Sequence, residues 1–138
     1  MNYKIISTLD EQQIIELYEL YQQEWWTDNR KFEDVLVMLE NTDILIGICE
    51  NKTNRLIGFI RVLSDFVYKA LIFDVIIHEE YQGKGLGRIL LDQVTTHPKL
   101  QTVQHFELYC KSDKISFYEK WGFTKEIGDI NFMRKTVK

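Results

Sequence analysis

Three glycines alternate with charged and apolar residues in one short loop of the chain. The loop consists of Gln82, Gly83, Lys84, Gly85, Leu86, Gly87 and Arg88. It follows the β-branched and aromatic run Leu71–Ile77 and precedes apolar residues at helical spacing, an order that predicts strand, loop and helix. Gly83 and Gly85 can adopt positive φ, and the first turn of a helix offers N–H groups without partners. With the charges of Lys84 and Arg88 added, the loop is predicted to bind a phosphate or pyrophosphate.

Three kinds of phosphate-binding loop compete for this segment. The P-loop pattern is absent, because the lysine is followed by a glycine and no hydroxyl residue stands where a magnesium ligand is needed. The dinucleotide pattern Gly-x-Gly-x-x-Gly matches in part, since Glu107 lies about 20 residues further on but Arg88 occupies the third glycine position. The third pattern, Gln/Arg-x-x-Gly-x-Gly/Ala, is filled without a gap by Gln82, Gly85 and Gly87.

With this third pattern the chain resembles the GNAT superfamily of N-acetyltransferases. A second block, Ile-Ser-Phe-Tyr-Glu-Lys-Trp-Gly-Phe at residues 115–123, is similar to the C-terminal Phe-Tyr-x-Lys-x-Gly-Phe segment of that superfamily. The two blocks occur in the superfamily's order with one predicted strand between them. The resemblance covers nearly the whole chain.

Hydrophobic periodicity predicts a mixed α/β order of elements. Strands are expected over residues 3–7, 44–50, 56–63, 71–77, 103–110, 124–127 and 132–136, and helices over 10–24, 32–41, 85–98 and 114–120. The spacing of Thr8 and Glu11 predicts a capping box for the first helix, and Gly122 is expected to cap the last one. The resemblance implies a single mixed central sheet flanked by helices, in which the parallel strands 71–77 and 103–110 splay apart and hold acyl-CoA.

Composition limits the class of protein. The chain has 138 residues, of which 45% are hydrophobic and 28% charged, and we expect residues 1–138 to form one globular domain. No apolar run approaches the roughly 20 residues of a membrane span, and we expect no secretory signal in the opening segment. The net charge of −4 argues against nucleic acid and anionic membranes as partners. Cys49 and Cys110 lack metal-type spacing, and together these features predict a cytoplasmic protein without a metal.

The resemblance assigns the loop to the donor, acetyl-CoA. Residues 82–88 would bind the pyrophosphate of CoA chiefly through backbone N–H groups. The backbone of Val75 and Ile77 would bond the pantetheine arm and the thioester carbonyl, where an N–H donor stabilises the negative charge that develops as an amine attacks.

Two side chains are candidates for proton transfer. Tyr118 stands at the family position whose hydroxyl is thought to protonate the departing thiolate; the alternative is that it packs beneath the cofactor. The family often places a glutamate where this chain has Phe73, so Asp74 is the nearest carboxylate for a base, unless water takes that role. Strand alternation would place Asp74 on the face opposite Phe73. Its alternative role is that of a hydrogen-bonded structural aspartate.

The acceptor is expected to contact the first two helices, their connector and the turn after the third strand. Trp25, Trp26, Asp65 and Phe66 combine rings and acids and would suit a cation. Arg61 would instead suit a carboxylate.

The sequence therefore predicts an acetyl-CoA-dependent N-acetyltransferase that acts on the primary amine of a small molecule in a ternary complex. The alternatives are acylation of a protein or peptide amine, and a non-catalytic acyl-CoA-binding regulatory module. A homodimer is compatible with the sequence.

Overall fold

The computed structural model describes residues 2–138. Chain contacts divide them into a first unit that ends at Leu108 and a second that runs from Tyr109 to Lys138. The strands are β1 (Tyr3–Ile6), β2 (Ile44–Glu50), β3 (Leu56–Ser64), β4 (Lys69–Ile77) and β5 (His105–Glu107). The α-helices are α1 (Glu11–Gln22), α2 (Phe32–Glu40), α3 (Leu86–Thr95) and α4 (Ile115–Glu119). None of the helices in the described chain combines the length and apolarity that a bilayer crossing needs.

The first unit contains one five-stranded sheet in the order β1-β2-β3-β4-β5. Neighbouring strands are antiparallel except β4 and β5, which are parallel, so the predicted mixed sheet flanked by helices is confirmed. The β4–β5 ladder ends where Leu71 lies opposite Glu107, whereas β4 continues to Ile77. β5 is therefore shorter than the predicted strand 103–110, and the second half of β4 has no partner strand within the described sheet on that edge.

The strand β4 contains a β-bulge at Asp74. Arg61 of β3 lies opposite Phe73, but Phe59, two residues earlier, lies opposite Ile76, three residues later. The extra residue on β4 is accommodated because Asp74 adopts a left-handed conformation, with φ 56°. Side-chain alternation is broken there, so positions that simple counting places on opposite faces come together.

The helices α1 and α2 cover one face of the sheet. Their apolar side chains pack with those of the central strands in one buried cluster: Leu17, Leu20, Tyr21, Val35, Cys49, Leu56, Phe59 and Ile76. The helix α3 packs its own buried residues, Leu86, Leu90, Leu91 and Val94, against β2, β3 and β4. None of these four residues belongs to the cluster under α1 and α2, although α3 contacts the same central strands, as expected for a helix on the opposite face.

The start of α1 differs in detail from the predicted capping box. The side chain of Asp10 accepts a hydrogen bond from Gln13 N at 2.8 Å, and Gln13 Oε1 accepts one from Asp10 N at 3.0 Å. The box therefore involves Asp10 and Gln13 rather than Thr8 and Glu11. Tertiary contacts select this register, because the amide of Gln13 is buried, where it donates to the carbonyl of Asn54.

The second unit contains α4 and no strand within residues 109–138. Gly122, with φ 87°, follows α4 and donates its N–H to the carbonyl of Glu119 at 3.0 Å. The two predicted strands, 124–127 and 132–136, are therefore wrong. Ile130, Phe132 and Met133 are exposed, so this segment has no buried face of the kind that stabilises strands.

Candidate active site

The glycine loop places an uncapped helix end in open space. Gly83 and Gly85 have φ 77° and 81°, and Gly85 is the N-cap of α3. Helix geometry leaves the N–H groups of Leu86, Gly87 and Arg88 without intrahelical acceptors, and no described side chain caps them. A Cβ at Gly83 or Gly85 would meet no atom within 4 Å. The space in front of these N–H groups fits an anion such as a phosphate.

The open edge of β4 begins near this loop. His78 donates its N–H to the carbonyl of Ile57 on β3 at 2.8 Å. Since successive residues of a strand direct their backbone groups to opposite edges, Ile77 and Val75 direct theirs away from β3. That edge is the one on which β5 has already ended, as the family resemblance implies for the cofactor strand.

Two glutamine side chains hold the end of this edge. The carbonyl of Ile77 accepts hydrogen bonds from Gln23 Nε2 at 2.8 Å and from Gln82 Nε2 at 3.1 Å. Gln23 Oε1 also accepts the N–H of Glu79 at 3.2 Å. Gln82 therefore links the glycine loop to β4, and Gln23 links the connector after α1 to the same point.

Asp74 lies in a buried cluster of charged and polar groups. Its carboxylate accepts hydrogen bonds from Arg30 at 2.7 and 3.1 Å, from Arg61 Nε at 2.6 Å and from the hydroxyl of Tyr21 at 2.9 Å. Only 3% of the Asp74 side chain is exposed. Burial alone would raise the pKa of Asp74, but the hydrogen bonds and charges of Arg30 and Arg61 outweigh it and hold this pKa below its ordinary value.

The contacts of Asp74 correct two predictions. A carboxylate with a lowered pKa and four bound donors is a poor acceptor for a substrate proton, so the geometry favours the structural alternative over a general base. The guanidinium carbon of Arg61 also lies 4.9 Å from the ring centroid of Phe73. Phe73 and Asp74 thus contact the same arginine, and the prediction that they point to opposite faces is wrong because of the bulge.

The connector between α1 and α2 runs beside the open half of β4. It is fixed at one end by Gln23 and at the other by Arg30, and the buried Thr27 hydroxyl donates to the carbonyl of Tyr21 at 2.7 Å. Trp25 and Trp26 lie on this connector with 68% and 40% of their surfaces exposed. Both tryptophans therefore lie on the connector between Gln23, which bonds Ile77, and Arg30, which bonds Asp74.

Asp65 and Phe66 lie elsewhere. They form the turn before β4, where Asp65 Oδ1 accepts the N–H groups of Lys69, Val67 and Tyr68, and these bonds lower the pKa of Asp65. Five strand residues separate this turn from Asp74, which corresponds to about 16 Å. The participation of Asp65 and Phe66 in acceptor binding stays a prediction.

Comparison with known proteins shows the family of this chain. A family model described as "Acetyltransferase (GNAT) domain" matches residues 34–125. The chain belongs to the GNAT acetyltransferase family. It is 34% identical over 124 residues to the "Uncharacterized N-acetyltransferase ycf52" of Pyropia yezoensis, covering 86% of this chain and 71% of that protein. It is 30% identical over 111 residues to "GCN5-related N-acetyltransferase 1, chloroplastic" of Arabidopsis thaliana, covering 78% of this chain and 55% of that protein.

A crystal structure of a Xanthomonas campestris protein described as belonging to the GNAT family has the same fold. The TM-score is 0.80 at 26% identity, and the match covers 97% of this chain and 94% of that one. As a GNAT acetyltransferase the protein uses an acyl-CoA donor and an acceptor substrate. The residues at the glycine loop fit the anionic part of such a donor.

Tyr118, the predicted acid of this GNAT protein, belongs to the second unit. Its ring lies 5.1 Å from that of Phe117 and 6.1 Å from that of Phe123, measured between centroids. Burial, with a smaller effect of Cys110, raises the pKa of Tyr118 to about 12. The phenol therefore stays protonated across the physiological range, with its hydroxyl proton available for donation.

Three residues of the site were not predicted from the sequence: Arg30, Tyr21 and Gln23. A signal existed for Arg30, because an aspartate inside an apolar strand needs buried cationic partners. Choosing among the arginines required the fold, since Arg30 and Asp74 are 44 positions apart. No local sequence pattern indicates a role for Tyr21 or Gln23. Their hydrogen-bond partners, Asp74 and Ile77, are likewise more than 50 positions away in the sequence.

Proposed function

We propose that the protein transfers an acetyl group from acetyl-CoA to the primary amine of a small molecule by direct attack in a ternary complex. The proposal depends chiefly on one observation. The N-terminus of α3, which follows Gly83 and Gly85, has no side-chain cap, and it lies next to the edge of β4 that has no partner strand among the described residues. Such a loop binds the pyrophosphate through the N–H groups of residues 86–88, with Lys84 and Arg88 adding charge. The thioester then lies along the edge formed by Val75 and Ile77.

The proposed reaction needs few catalytic side chains. Acetyl-CoA supplies an activated acyl group, and the amine attacks its carbonyl. The N–H of Val75 donates to the carbonyl oxygen as negative charge develops, a contribution of about 3–4 kcal/mol for one well-placed donor. Because Asp74 holds Arg30 and Arg61, the proton of the amine leaves through water rather than through this carboxylate.

Tyr118 donates a hydrogen bond to the departing sulfur. With a pKa of about 12, its phenol is a weaker acid than a thiol, whose ordinary pKa is about 8.5. Complete proton transfer to the thiolate is therefore unfavourable, whereas a hydrogen bond stabilises the thiolate as it forms. The role of Tyr118 that we propose is that of a donor to sulfur.

A second candidate function is acylation of a protein or peptide amine. Trp25 and Trp26 are exposed on the connector beside the open edge, and such rings suit a peptide as well as a small molecule. A non-catalytic acyl-CoA-binding module is the third possibility, and it differs from both because it would bind the donor without turnover.

A panel of small amines and peptides incubated with acetyl-CoA separates these functions. Release of free thiol with small amines supports the proposal, and release with peptides alone supports the second candidate. Acetyl-CoA binding by calorimetry without thiol release from any acceptor would identify the regulatory module. Gly85→Ala serves as the control for thiol release that does not depend on the loop.

Location and assembly stay predictions. The sequence predicts a cytoplasmic protein without nucleic acid or membrane partners, and the Arabidopsis relative is named as chloroplastic. A homodimer is likewise a prediction, which light scattering of the purified protein tests.

A further inference from the structure

The Asp74 cluster carries more positive than negative charge. Arg30 and Arg61 form their ion pairs within residues 2–138 with Asp74 alone, so two guanidinium groups face one carboxylate. The exposed fractions are 29% for the Arg30 side chain, 12% for Arg61 and 3% for Asp74. An excess charge that is mostly removed from water is costly unless another group balances it. The cluster is therefore one anion short of neutrality.

Arg61 also has hydrogen-bonding capacity left. Its Nε donates to Asp74, while its two terminal nitrogens make no hydrogen bond to residues 2–138. Neither nitrogen is enclosed, since the described chain has no buried polar side-chain atom without a partner. The guanidinium lies over the ring of Phe73, which fixes its orientation. A guanidinium group that is held in one orientation and has two free terminal nitrogens can donate one hydrogen bond to each oxygen of a carboxylate.

The location relates these donors to the reaction. Asp74, which Arg61 contacts, directly precedes Val75, whose backbone groups face the open edge of β4. Arg30 closes the cluster from the connector that carries Trp25 and Trp26. When the amine of a small molecule reaches the thioester at this edge, another group of the same molecule can therefore reach Arg61.

Two of the acids that would favour a purely cationic acceptor, Asp74 and Asp65, are engaged within the protein. Asp74 is neutralised by the two arginines, and Asp65 lies in a separate turn, where it accepts backbone N–H groups. On the connector, Glu24 accepts from Gln23 at 3.3 Å and Asp28 is exposed. Within the Asp74 cluster itself, two arginines against one carboxylate favour an acceptor with an anionic group.

We infer that Arg61, oriented by Asp74 and supported by Arg30, binds an oxyanion on the acceptor, so that the substrate is a small amine that also carries a carboxylate or a phosphate. This inference rests on the proposed function and specifies its substrate class. The amine and the oxyanion belong to one molecule, with the amine at the thioester and the oxyanion on the terminal nitrogens of Arg61.

Matched acceptor pairs test the inference on the wild-type protein. Phenylalanine and phenethylamine differ by a carboxylate, and phosphoethanolamine and ethanolamine differ by a phosphate. We expect kcat/KM for the anionic member of at least one pair to be about tenfold higher or more, as a charge-assisted hydrogen bond allows. The pair that shows the preference identifies the oxyanion. If phenethylamine and ethanolamine are acetylated as fast as their anionic counterparts or faster, the inference is overturned and the proposed function stays intact.

Variants assign the preference to Arg61. Arg61→Gln should reduce the ratio of kcat/KM within the preferred pair about tenfold, and Arg61→Lys should retain part of it, because lysine keeps the charge without the fork. The control is Arg55→Gln, which removes the arginine directly before β3. This variant should leave the ratio of kcat/KM within the pair unchanged. An unchanged ratio in folded Arg61→Gln would overturn the inference. If acetyl-CoA binds but no amine is acetylated, the proposed function fails together with the inference.

Discussion

At the scale of single residues, Asp74 shows how a charged side chain is kept inside an apolar strand. Its left-handed backbone, with φ 56°, is unfavourable for a residue with a Cβ. Four hydrogen bonds from Arg30, Arg61 and Tyr21 hold it in that conformation. Val75 directly follows this bulge, and we propose that the cluster thereby positions the backbone N–H of Val75.

Removal of this carboxylate should destabilise the protein strongly. Asp74→Asn leaves two guanidinium groups facing a neutral amide, and breaking a buried ion pair in this way costs about 3–5 kcal/mol. The free energy of unfolding in urea measures the effect. Glu107→Gln is the control, because its ion pair with Lys69 is nearly half exposed and should contribute about 1 kcal/mol or less. Equal effects of the two variants would contradict the cluster's role.

The carboxylate of Asp74 should also make the free energy of unfolding depend on pH in the acid range. The pKa of Asp74 is lowered in the folded protein, so its stabilising effect is fully present above the ordinary aspartate pKa of about 3.9 and is lost as pH falls through the lower folded value. The free energy of unfolding of the wild type should therefore fall more steeply below about pH 4 than that of Asp74→Asn. Urea titrations between neutral and acid pH compare the two slopes, and parallel curves would refute this linkage.

Tyr118 should affect turnover more than donor binding. Tyr118→Phe removes the proposed hydrogen bond to sulfur and should lower kcat about 10- to 100-fold, the loss expected for one hydrogen bond to a charged group, with little change in acetyl-CoA affinity. Since burial raises the pKa of Tyr118 to about 12, no loss of activity from its ionisation is expected below that pH. Tyr68→Phe, at an exposed tyrosine of the other unit, is the control. A Tyr118→Phe variant as fast as the wild type would reduce this residue to a packing role.

At the scale of elements, the donor site that we propose combines the start of α3 with the second half of β4. The helix presents N–H groups without a capping side chain, and the strand presents an edge without a partner strand. Gln82 joins them through its bond to the carbonyl of Ile77. Each element leaves polar backbone groups that a bound acyl-CoA would satisfy.

Gly85→Ala tests the loop directly. An added Cβ meets no protein atom within 4 Å, so it enters only the space proposed for the pyrophosphate, and the positive φ adds strain of about 1–2 kcal/mol. Gly128→Ala has the same open surroundings and a φ of 73°, and serves as the matched control for strain. We expect both variants to lose similar stability, while only Gly85→Ala loses CoA affinity by calorimetry. Retained affinity in folded Gly85→Ala would remove this loop from the cofactor site.

The sequence predicted those elements whose signals are local. Glycine spacing identified the loop, and apolar periodicity placed β4 and α3 within a few residues of their observed bounds. The bulge at Asp74 was missed because it depends on how β3 and β4 pair. The strands expected in residues 124–136 do not form, since strand propensity reflects burial on a sheet face and the apolar residues of this segment are exposed.

At the scale of the whole molecule, the family followed from the order of two motifs, whereas the charge of the acceptor site did not. Asp65 and Asp74 looked like a combined acidic pocket in the sequence. In the fold they are separated along β4, and Asp74 is neutralised by residues 13 and 44 positions away. The balance of charge at a site is a property of tertiary contacts, and on that ground we propose an amine with an anionic group in place of the cationic acceptor that the sequence suggested.

Acetyl transfer itself is the most direct measurement of the central claim. The purified protein is incubated with isotopically labelled acetyl-CoA and an amino acid or another small amine, and mass spectrometry follows the labelled amide. The account predicts labelled N-acetyl product at a rate that saturates in both substrates, and a much lower rate with Gly85→Ala. Bound acetyl-CoA without labelled product from any small amine, or product formed equally well by Gly85→Ala, would contradict it.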